Sequence, residues 1–210
     1  MKKPIIIINF KTYKKGKENL DLARMTEKVD KNIIVGVPAS DIKEIASKTK
    51  LKVYAEHVDP FPLGRNTGYI IPEEVKAGGA AGTFLNHSEH KLDFKTLKET
   101  MKRCKKIGLK TAVFASSLSE AKKIERLKPN FLIYEPPELV GGDISVSTAK
   151  PEIIKKISKS LKMKFLVGAG VKTYNDMETS MKLGATGVAI ASGVTEAENP
   201  KREIEKLLGR

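Results

Sequence analysis

Three short segments of this 210-residue sequence hold side chains suited to moving a proton or gripping an anion. The first is Asn86-His87-Ser88-Glu89, which carries one of only three histidines in the chain. A neutral imidazole there can donate a hydrogen bond to a carbonyl and then shuttle protons. If a helix begins just after His87, its N-terminal dipole disfavours the imidazolium and keeps the ring neutral. The second is Tyr134-Glu135-Pro136-Pro137-Glu138-Leu139-Val140-Gly141-Gly142-Asp143. A carboxylate directly after an apolar run is costly unless it has partners or a purpose. The prolines stiffen the start of this loop and Gly141-Gly142 soften its end, a pattern suited to a lid over a site. The third is Asn9-Phe10-Lys11, an amide and a cation two residues apart that would share one side of a strand and suit a polar, anionic ligand. Gly168-Ala169-Gly170 and Ala191-Ser192-Gly193 add small residues past which backbone amides can approach an oxyanion. Taken singly, each has a bland alternative: a hydrogen-bonded structural histidine, a solvated lysine, an ordinary glycine turn.

These segments share a place in the pattern of the chain. Each follows a short apolar run: Ile5–Ile8, Gly82–Leu85, Phe131–Tyr134, Phe165–Gly168 and Gly187–Ala191. Ile33–Val37, Lys52–Ala55 and Thr111–Ala115 complete the series. The runs are continuous rather than alternating, as expected of strands buried on both faces of a parallel sheet. Between them lie amphipathic stretches with helical period, at Asn19–Val29, Thr96–Ile107, Ser119–Leu127, Pro151–Leu161 and Asn175–Leu183. Pro151 suits a first helical turn, Gly184 a helix stop, and Ser40-Asp41 a helix cap. Eight strand–helix pairs without a linker predict an α/β chain whose residues 1–210 form one closed (β/α)8 barrel. Spread over eight units, the length allows about 26 residues each, so the barrel is a minimal one with trimmed helices. The exception is the stretch from His57 to Ile71, with Pro60, Pro62, Gly64 and Gly68, long enough to need a function of its own.

Composition narrows the classes further. No apolar run approaches the roughly 20 residues of a membrane span, and no secretory leader is recognisable, so a cytoplasmic protein is expected. One cysteine, Cys104, excludes an intramolecular disulfide framework and disfavours a structural zinc site. The net charge of +14 suits a phosphorylated partner, yet the lysines are spread over every predicted helix and no aromatic stacking set accompanies them. That disfavours an RNA-binding protein.

Read together and in order, Asn9-Phe10-Lys11-Thr12-Tyr13, Leu85-Asn86-His87-Ser88-Glu89, Glu135-Pro136-Pro137-Glu138-Leu139, Gly168-Ala169-Gly170 and Ala191-Ser192-Gly193-Val194 resemble the triosephosphate isomerases in their short archaeal form. His57-Val58-Asp59-Pro60 and Asn66-Thr67-Gly68 extend the resemblance through the long third loop. It implies a TIM barrel that interconverts dihydroxyacetone phosphate and glyceraldehyde 3-phosphate with no cofactor, no metal, no nucleic acid and no membrane partner. It also implies the roles. Glu135 is the base, neutral His87 polarises the carbonyl and moves protons, Lys11 meets the substrate's negative charge, and Asn9 bonds near the reacting oxygen. Phe10, Val140, Gly141, Gly170, Ala191, Ser192 and Gly193 line the substrate, largely through backbone amides. Glu89 supports His87, and Thr67 reaches a neighbouring copy in a homodimer or homotetramer. Other phosphosugar barrels, such as indole-glycerol-phosphate or phosphoribosyl-anthranilate enzymes, share the phosphate grip but not this set of Asn, Lys, His and Glu.

One departure stands out. Where the family usually has Gly-Thr-Gly, this chain has Gly141-Gly142-Asp143. An aspartate about 8 Å from a phosphate costs roughly 2 kcal/mol per unit pair of like charges at an effective dielectric of about 20. Asp143→Gly is expected to lower KM, by more than about tenfold on that estimate, in steady-state kinetics.

Overall fold

The computed structural model describes residues 3–136 and 146–210. Strand and helix alternate from the start: β1 (Ile5–Asn9), α1 (Lys17–Val29), β2 (Ile34–Val37), a 3-10 turn at Ala39–Asp41, α2 (Ile42–Lys48), β3 (Lys52–Ala55), α3 (Pro72–Ala77) and β4 (Gly82–Leu85). Then come α4 (Phe94–Lys106), β5 (Lys110–Ala115), α5 (Leu118–Glu125), β6 (Phe131–Tyr134), α6 (Val146–Ala149) and α7 (Pro151–Ser160). The series ends with β7 (Phe165–Val167), α8 (Tyr174–Lys182), β8 (Gly187–Ile190), α9 (Ser192–Thr195) and α10 (Pro200–Leu207). The strands run in order around a closed barrel, and β8 closes on β1 in parallel register from Ile5↔Gly187 to Ile8↔Ile190. The expected TIM barrel is the fold.

The two faces of each strand enter different apolar layers, which is why the sequence runs are continuous. Ile7 points into the barrel with Ile34, Tyr54, Phe84, Phe114, Ile133 and Leu166. Its neighbours Ile6 and Ile8 point outward to the helices, among residues such as Leu20, Ile45, Leu97 and Ile154. The interior is filled by aromatic rings that need glycines opposite them. A Cβ on Gly82 would stand 2.5 Å from the Tyr54 ring, and one on Gly36 would collide with Phe84. Large and small residues thus interdigitate across the barrel interior.

Helix starts explain most differences from the periodicity. α4 begins two residues before Thr96 because the Asp93 carboxylate accepts the amides of Lys95 and Thr96. Ser117, Thr173 and Asn199 cap α5, α8 and α10 in the same way. Pro151 does open a helix, and Gly184 follows α8 in the left-handed region at φ 109°. The expected cap at Ser40-Asp41 is not made: Asp41 is buried in the 3-10 turn that runs directly into α2, and its Oδ2 accepts from Asn19 Nδ2 at 2.7 Å instead. Helices α2 and α3 are trimmed to 7 and 6 residues.

Candidate active site

At the C-terminal mouth of the barrel, the ends of β1, β4 and β6 bring Asn9, Lys11, His87 and Glu135 to one cavity of about 50 Å³, closed on the far side by Ala169, Gly170, Ala191 and Ser192. A second cavity of about 320 Å³ adjoins it and shares Asn9, Lys11 and His87.

Glu135 is the first residue beyond β6, and its amide donates to Ala115 O at 2.9 Å, so barrel pairing continues one residue past the strand. Its side chain is buried, lying 3.1 Å from His87 Nε2 and 3.4 Å from Ser88 Oγ, both through Oε2. Burial pushes the carboxyl up to about 7, and Lys11 only partly offsets this. A carboxyl poised there exchanges a proton readily near neutrality. Gly168 leaves the room it needs, since a Cβ at that position would stand 2.8 Å from Glu135 Oε1.

His87 has a fixed tautomer. The Glu89 amide donates to its Nδ1 at 3.1 Å, so Nδ1 is an acceptor and the proton sits on Nε2, facing Glu135. Burial holds the imidazole down at about 4, with Lys11 and Lys91 adding to the effect against an opposing Glu89. The expected neutral ring is therefore present, but its cause differs. No helix begins just after it: a turn closed by His90 N–H to His87 O at 2.9 Å intervenes, and α4 starts only at Phe94. The turn itself is held by Asn86, whose Nδ2 donates to Phe114 O and Glu120 Oε1 while its Oδ1 accepts from Leu92. Glu120 is buried enough to disfavour its charge, yet bonds from Lys91, Ser116 and Asn86 override this and hold it down at about 2.

Lys11 does not continue the strand, as the two-residue spacing implied. β1 ends at Asn9, and Lys11 turns into the left-handed region at φ 49°, where its amide donates to Asn9 Oδ1 at 3.1 Å. Between them the Phe10 side chain is wholly buried in the outer apolar layer and lines neither cavity. The Lys11 ammonium pairs with Glu89 Oε1 at 2.7 Å, and because that carboxylate is 58% exposed the pair is readily exchanged.

Opposite these groups, Ala169 and Gly170 both adopt left-handed backbone, at φ 71° and 68°. Ala191 accepts the amides of Val194 and Thr195, so the amides of Ser192 and Gly193, at the start of the turn, have no intrahelical acceptor. Four non-glycine residues have positive φ among the described residues, and Lys11, Asn86 and Ala169 are three of them. Backbone strain concentrates where a fold holds a site against its own preference. Val140, Gly141, Gly142 and Asp143 lie outside the described residues. Sequence reading assigned no role to Ser88, to the Asn86–Glu120 support or to the space at Gly168. Ser88 and Asn86 flank His87 in sequence, but Ser88 meets Glu135 after β6, and Asn86 meets Phe114 of β5 and Glu120 of α5.

The third loop is clamped at its neck, where Asp59 and Ile70 exchange backbone and side-chain bonds at 2.8 Å, and His57 stacks on His90 at 4.1 Å. Thr67 is exposed near its tip, with Leu63 and Tyr69 exposed beside it.

Comparison with known proteins agrees with this geometry. The family model described as triosephosphate isomerase matches residues 4–207. A triosephosphate isomerase of Saccharolobus solfataricus is 42% identical, the match covering 99% of this chain and 96% of that protein. One from Methanocaldococcus jannaschii is 35% identical, covering 97% of this chain and 98% of that protein. Barrel, mouth and comparisons converge, and the chain belongs to the triosephosphate isomerase family.

Proposed function

We propose that Glu135, His87, Lys11 and Asn9 carry the reaction of this isomerase, the reversible interconversion of dihydroxyacetone phosphate and D-glyceraldehyde 3-phosphate that serves glycolysis and gluconeogenesis. One observation carries the assignment: a buried carboxyl, pushed up to about 7, faces the Nε2–H of a neutral imidazole at 3.1 Å. The carboxylate removes the proton from the carbon next to the carbonyl. The Nε2–H donates to the carbonyl oxygen as negative charge builds there, then moves protons between the two enediol oxygens. Asn9 bonds near the reacting oxygen, and Lys11 leaves Glu89 to meet the substrate's charge. The left-handed pair Ala169-Gly170 and the amides of Ser192 and Gly193 receive the phosphate, with Val140 and Gly141 contributing from the loop after β6. No cofactor or metal enters this sequence of steps, because each is a proton transfer between groups already at hand.

The substrate must be shielded from water, since a loose enediol phosphate would eliminate phosphate. A coupled assay on both triose phosphates tests the reading. Turnover in both directions is expected, with deuterium from heavy water entering the product at the carbon beside the carbonyl. Absence of turnover, or of any solvent label, would refute it.

We also read residues 1–210 as one domain, cytoplasmic, and self-associating as a homodimer or homotetramer. The third loop supports the association. It is clamped at its neck by Asp59 and Ile70, and it carries Leu63 and Tyr69 exposed on either side of Thr67. Light scattering should give a mass at least twice that of the 23.1 kDa chain.

A further inference from the structure

The larger cavity holds a carboxyl group that the steps above do not use. Glu56 follows β3, and its amide donates to Val37 O at 3.2 Å, so the pairing of β2 with β3 carries it to the barrel mouth. There it lines the cavity with Lys11, His57, His87, Glu89 and His90. Its Oε1 is buried and has no hydrogen-bond partner among the described residues. A carboxylate oxygen buried without a donor is costly, and a neutral acid far less so.

The charged and titratable surroundings of Glu56 come from several elements. Burial has the largest effect and disfavours the ionised form; the Lys11 amide and ammonium favour it, while Glu89 after β4 and Asp41 in the 3-10 turn oppose it. His57 and His90, from the third loop and the turn after His87, complete the titratable lining, with Asp59 on His57. The balance pushes Glu56 up to about 7. Two carboxyl groups therefore neighbour one ammonium. Glu89 is mostly exposed and releases Lys11 easily, but a buried ionised Glu56 would compete for that charge and repel an incoming dianion with little screening.

Resting on the reading that Lys11 meets the substrate's charge, we propose that Glu56 is a positioning residue: as a neutral acid it leaves the Lys11 ammonium free for the phosphorylated substrate, and once ionised it obstructs binding through Lys11. The readout is KM rather than kcat, because Glu56 touches neither the base nor the imidazole.

Glu56→Gln is close in shape to the neutral acid and cannot ionise. Comparing it with the wild type as a ratio cancels the titration of substrate, Glu135 and His87. The ratio of wild-type to variant KM for glyceraldehyde 3-phosphate should rise about tenfold between about pH 6 and pH 9, while the kcat ratio stays level. A level KM ratio, or a kcat ratio that changes in step with it, overturns the proposal. Should Glu56→Gln fail to fold, sulfate binding to Glu135→Gln, followed by calorimetry, serves the same purpose. Sulfate stays dianionic across this range and the base is absent, so its affinity should fall about tenfold as Glu56 ionises, and a constant affinity counts against the proposal. A Glu135→Gln enzyme that remains fully active would sink the catalytic assignment instead, which keeps the two failures apart.

Discussion

Glu135→Gln is expected to lower kcat by roughly three to four orders of magnitude, the upper part of what a positioned general base supplies. On the barrier this is about 4 to 5 kcal/mol. The amide keeps the shape of the side chain and can still face His87 Nε2, but it cannot accept a proton from carbon. On the proposed assignment the substrate is held elsewhere, by Lys11 and the amides of Ala169-Gly170 and Ser192-Gly193, so KM should move far less than kcat. A variant within tenfold of wild-type kcat would remove Glu135 from the chemistry.

The same substitution carries a stability effect of opposite sign. The folded-state carboxyl sits at about 7 against an ordinary 4.5, because ionising it inside the barrel mouth is unfavourable. The wild type is then most stable, as far as this group is concerned, below the unfolded value, and loses that advantage as pH rises through about 7. A shift of this size corresponds to something on the order of 3 kcal/mol above neutrality. Glutamine never ionises, so the variant should resist urea better than the wild type at alkaline pH and about equally below pH 4.5. Unfolding curves that differ by the same amount at both extremes would contradict the linkage. Stability given up at the Glu135 carboxyl is what would suit it to the proposed role of a base near neutrality.

Gly168→Ala should lower kcat by about a hundredfold without unfolding the protein, the usual consequence of moving a reacting group by about an ångström. The added Cβ would stand 2.8 Å from Glu135 Oε1, 3.2 Å from its Cβ and 3.3 Å from its Cδ. The Cβ belongs to a backbone anchored by the 2.9 Å bond of the Glu135 amide to Ala115 O, so the side chain rather than the chain must yield. Gly168 is tied in turn by its amide to Tyr134 O at 2.8 Å. The carboxylate would then leave Ser88 and His87. Thermal unfolding should show the barrel intact, while steady-state kinetics show kcat falling more than KM rises; unchanged kcat would mean that Glu135 does not depend on this space.

The strands were legible because burial on both faces leaves a continuous apolar run, and Ile5–Ile8 shows it, dividing between the barrel interior and the helical layer. Helix boundaries were less so. Asp93 and Ser117 work as caps only because the chain turns extended just there, whereas Ser40-Asp41 has the right composition and no cap bond. Among the site residues, residue type and position at a strand end pointed to Glu135, His87, Asn9 and Lys11, and the family resemblance assigned their roles. Distances did not follow from either. Phe10, adjacent to two cavity residues, is buried in the outer layer because it continues the outward alternation of Ile6 and Ile8, its amide still donating to Gly36 O.

Residue order along the chain was sufficient for the barrel, the eight-fold repeat and the kinds of groups at its mouth, since these depend on patterns within some 26 residues. Closure of the barrel was needed for the rest. It sets β4 beside β5 and β6 beside β7, so that Ser88, His87 and Gly168 meet Glu135, and so that Glu56 Oε1 is buried with no donor among the described residues. Tautomer, proton affinity and steric room are properties of such cross-strand neighbourhoods, formed by residues as far apart in the chain as Lys11 and Glu135, and no local pattern encodes them.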